Sequence, residues 1–107
     1  MLLELQNQIS ELIAENSKGA TALFECEQKL AEAEYELDTI EQKAFLAAEG
    51  TVADRQAIAK LKAADSRLQR DLRKAEFNRV KVKISQIQTA LMALGTQAKL
   101  IGVETKW

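Results

Sequence analysis

Arg67, Arg70, Lys74 and Lys81 are the residues of this 107-residue chain whose type and spacing could do chemistry. Wound at about 100° per residue, they fall within about 60° of one another, on an arc opposite Leu68 and Leu72. An arc of guanidinium and ammonium groups suits a phosphate backbone, which it neutralises without reading bases. Four such contacts give a salt slope of only about −3 on a single strand, so useful affinity needs several subunits presenting the arc together. Lys60 flanks the arc, while Arg55, Lys62, Arg73, Arg79 and Lys83 point elsewhere. The bland alternative is that these cations pair with an acidic helix or keep the surface solvated. Tyr35 and Trp107 are the only rings beyond phenylalanine, so base stacking is poorly provided for.

Other chemistries find fewer parts. The chain has no histidine, the commonest general base and metal ligand. Its single Cys26 falls on an apolar seam and reads as a buried structural thiol rather than a nucleophile. The glutamates between residues 25 and 41 lack a Glu-x-x-His pattern and read as a solvated face, not as a metal or cofactor site. Gly50 is solitary, so no phosphate-cradling glycine loop is expected. These readings point to a non-enzyme without cofactor. One cysteine cannot form an internal disulfide and fits a reducing compartment. The longest apolar run, Ala44 to Ala48, is far too short for a membrane span, and Met1–Leu5 lacks the basic start of a signal peptide. A cytoplasmic location without membrane partners is the expectation.

The elements that must position these residues are helical. Proline is absent, aromatics make up 5% and Ala, Leu, Glu, Lys, Gln and Arg dominate, as in coiled coils. Leu5, Ile9, Leu12 and Ile13 predict a short helix over about 2–16, and Asn16-Ser17-Lys18-Gly19 predicts a kink or loop. A strict heptad over Leu23, Cys26, Leu30, Ala33, Leu37, Ile40, Ala44 and Ala47 predicts a second helix over about 20–48. Gly50 suits a helix stop, and Thr51 with Asp54 resembles a capping box, so residues 49–51 form a turn. A long helix over about 52–101 then folds back antiparallel, with a tail at 102–107. Its first part puts Ile58, Leu61, Leu68, Leu72 and Ala75 on one face. The face then shifts, as at a stutter, to Phe77, Val80, Ile84, Ile87, Leu91, Leu94, Ala98 and Ile101.

The fold class is therefore all-α: an antiparallel helical hairpin or coiled coil with a short N-terminal helix, forming a single domain. The seam of Phe77, Val80, Ile84, Ile87, Leu91, Leu94 and Ile101 outruns a second helix of about 29 residues, which predicts a homo-oligomer interface there. Charge is split along the chain. Residues 1–50 hold 11 acids and 3 bases, and residues 51–107 hold 5 acids and 12 bases. An acidic helix beside a basic one, or a basic surface meant for a polyanion, would each account for this.

The acidic helix, the Glu49-Gly50-Thr51-Val52-Ala53-Asp54-Arg55 turn and the basic helix together resemble small helical proteins of tailed bacteriophages. The stretch from Ile87-Gln88-Thr89-Ala90-Leu91-Met92-Ala93-Leu94 through Ile101 to Trp107 is similar in pattern to the C-terminal helix of UvsY-like recombination mediators. The resemblance covers about half the chain, in seam spacing more than identity. It implies a ring-like oligomer in the host cytoplasm that binds single-stranded DNA and assists a recombinase beside a single-strand-binding protein. This chain departs from that pattern in its few aromatics and acidic first half. The competing expectation is a coiled-coil adaptor, or a phage inhibitor that binds a host protein through its acidic helix.

Overall fold

The computed structural model describes the backbone of residues 1–106 and the side chains through Ile101. Three α-helices appear among the described residues, with no strand: α1 (Leu2–Ala47), α2 (Val52–Lys62) and α3 (Ala64–Lys106). They build two compact units. The first comprises Met1–Phe24 with the chain from Arg79 onward, and the second is Glu25–Asn78.

The expected break at residues 16–19 does not occur, because α1 is one helix of 46 residues. The reason is visible in the spacing. Leu5, Ile9, Leu12, Asn16, Gly19, Leu23 and Cys26 keep intervals of four and three without interruption, and all are buried or half-buried. Asn16 and Gly19 are thus seam residues rather than loop residues. In the first unit, a Cβ on Gly19 would stand 3.0 Å from Ile84 Cγ1 of α3, so glycine admits a close approach there. A helical glycine costs about 1 kcal/mol relative to alanine, and that tertiary contact offsets it. The two helical segments of this unit run antiparallel, with Leu5 sharing a groove with Leu100 and Ile101.

The second unit turns at Glu49–Thr51. Gly50 has φ +110°, and the backbone then extends at Thr51 (φ −69°, ψ 167°). Asp54 N–H donates to Thr51 Oγ1 at 3.2 Å, and Thr51 N–H donates to Asp54 Oδ2 at 3.3 Å, closing the capping box its sequence predicts. Arg55 adds a clasp across the turn. Its Nε donates to the Phe45 carbonyl at 3.2 Å, and its guanidinium lies 4.5 Å from the Phe45 ring centroid.

The long helix expected over 52–101 is interrupted at Ala63, where φ −91° and ψ 5° loosen one residue. Hydrogen bonds from Ala63 N–H to Ala59 O and from Arg67 N–H to Ala63 O keep the helical phase across it. Ala63 is fully buried, and the partner helix packs over this small residue. The stop expected near residue 101 is also absent: α3 passes Gly95 and continues to Lys106. Trp107 lies outside the described residues.

The largest correction concerns which face of α2 and early α3 is inward. Ile58, Leu61, Leu68 and Leu72, expected on the seam, are 36%, 79%, 56% and 55% exposed. The inward face is instead Ala59, Ala63, Ser66, Arg70, Arg73 and Phe77, again spaced by fours and threes. No stutter precedes Phe77. Apolarity marked the wrong face because the inward positions are filled by alanine, serine and the alkyl stems of arginine, which cover apolar surface while their heads reach solvent.

Candidate nucleic-acid interface and the surfaces around it

Three of the four cations lie in the second unit, and the structure ties up two of them. Arg67 Nη2 is 3.7 Å from Glu41 Oε2 of α1, with both side chains about one-third exposed at 35% and 36%. This ion pair spans the two antiparallel helices of the unit. Lys74 is one heptad after Arg67 and Glu34 one heptad before Glu41, so the same flank repeats with the same charge order. Arg70 is not on the outward arc at all. It occupies the inward phase, is half-buried, and its Nε donates to Asp71 Oδ1 at 2.7 Å. Arg73, on the same inward phase, holds Glu76 at 3.4 Å. Lys74 is exposed. Lys81 is exposed as well, but belongs to the first unit.

The residues assigned to an oligomer interface are the chain's own seam. In the first unit Ile87 is buried, and Val80, Ile84, Leu91, Leu94 and Ile101 are half-buried. Phe77 is half-buried in the second. The argument for a second chain at this seam rested on a partner helix of about 29 residues. With α1 spanning 46, that premise fails.

Cys26 is buried in the second unit. Burial pushes its thiol above the ordinary range, and the Glu76 carboxylate adds to this by its charge and by accepting a hydrogen bond. A raised folded-state value keeps the thiol neutral where an unfolded chain would ionise. Its stabilising contribution is therefore full below the ordinary thiol range and is lost as pH rises through the folded value. Cys26 in the native chain should react with a thiol reagent at mildly alkaline pH at least about tenfold more slowly than in denaturant. Equal rates would show that the seam opens freely at this point.

Two surfaces were missed from the sequence. The first is the exposed apolar stripe of Ile58, Leu61, Leu68 and Leu72 on the outer side of α2 and α3. The second is an open groove in the second unit, lined by Asp38, Glu41, Phe45, Leu46, Gln56 and Lys60. The stripe could have been found by asking which face pairs its charges with α1, since Arg67 and Glu41 define the flank directly. Among the described residues, no three histidine, cysteine or carboxylate side chains converge as a metal site would require. No described helix is long and apolar enough to cross a membrane. Comparison with protein-family models, characterised proteins and solved structures finds no match.

Proposed function

We propose that this chain is a non-enzymatic coiled-coil interaction protein, an adaptor whose working surface is the outer face of α2 and early α3. The observation that carries this reading is an exchange of roles between two faces. Arg67 and Arg70, two of the cations expected to meet phosphate, are engaged by Glu41 and Asp71, while large apolar side chains of the same unit stand in solvent. A solvated face normally carries polar residues, and leucines repeated at heptad spacing on it signal contact with another helix. The acidic helix is less suited to be the working surface, because Glu41 is already used within the unit.

The second reading is the single-stranded DNA-binding recombination mediator, acting through Arg67, Arg70, Lys74 and Lys81. It is favoured by the exposure of Lys60 and Lys74 in a second half that carries 12 bases against 5 acids. Titration of a labelled single-stranded oligonucleotide separates the two. For the adaptor, saturable binding should be absent at physiological salt and weak in low salt, since Arg67 and Arg70 are already engaged by carboxylates. Tight binding that falls steeply with salt and is abolished by Arg67→Glu with Lys74→Glu would replace the adaptor by the mediator.

A further inference from the structure

We draw no further inference here: the strongest candidate, the exposed apolar stripe of Ile58, Leu61, Leu68 and Leu72 on the outer side of α2 and early α3, belongs to the surface already described, and nothing in the structure shows what covers it.

Discussion

Leu37→Ala should lower the unfolding free energy by about 3 kcal/mol, whereas Leu68→Ala should change it by less than about 0.5 kcal/mol. The two leucines look alike in the sequence, each on an apolar heptad position. Leu37 is 5% exposed on α1, and Leu68 is 56% exposed on α3. Truncating Leu37 removes buried methyl groups and leaves a void in the seam. Truncating Leu68 removes surface that the single chain never buried. Urea unfolding followed by circular dichroism, at concentrations low enough to keep the chain monomeric, measures both. A large loss at Leu68 with little at Leu37 would mean that the inward face of early α3 is the leucine face after all.

That contrast marks the limit of what could be read without the structure. Helix type and the turn were legible because their signals are local. Gly50, Thr51 and Asp54 define a stop and a start within a few residues, and the absence of proline permits long helices. The seam from Val80 to Ile101 was legible because its inward positions are large and apolar. Between Ala59 and Arg73 the rule inverts, since Ala59, Ala63, Ser66, Arg70 and Arg73 face inward while Leu61, Leu68 and Leu72 face out. Hydrophobic periodicity reports the more apolar face, not the inner one, and here a second face competes with the first. The same inversion misplaced Arg70: taking the leucine face as inward put Arg70 outward, whereas the leucines face out and Arg70 lies on the inward phase. Arg67 was readable only as one of two possibilities, because the pairing with Glu41 follows from which face of early α3 is inward. Reading a loop at Asn16–Gly19 hid instead the partner of the Val80–Ile101 seam, by shortening α1.

Asn16→Leu should raise stability by about 1–2 kcal/mol, a gain of several degrees in Tm for a chain of this size. Asn16 sits on the unbroken heptad of α1, and its Oδ1 is buried with no hydrogen-bond partner. A buried acceptor without a donor carries its full desolvation cost, which an apolar side chain of similar shape does not. Leucine branches at the same atom as asparagine, so it adds apolar contact in a similar shape. Asn16→Asp, which places a charge at the same point, should move the other way and by a larger amount. Polar residues on a seam are also known to fix register, so the gain carries a second expectation. With the seam made wholly apolar, the first unit loses one penalty against slipped or intermolecular pairing, and the Asn16→Leu chain should self-associate more readily than wild type. Thermal melting together with sedimentation measures both effects. A lower Tm for Asn16→Leu would show that solvent reaches and satisfies Oδ1, making the polar layer at Asn16 a stabilising contact in its own right.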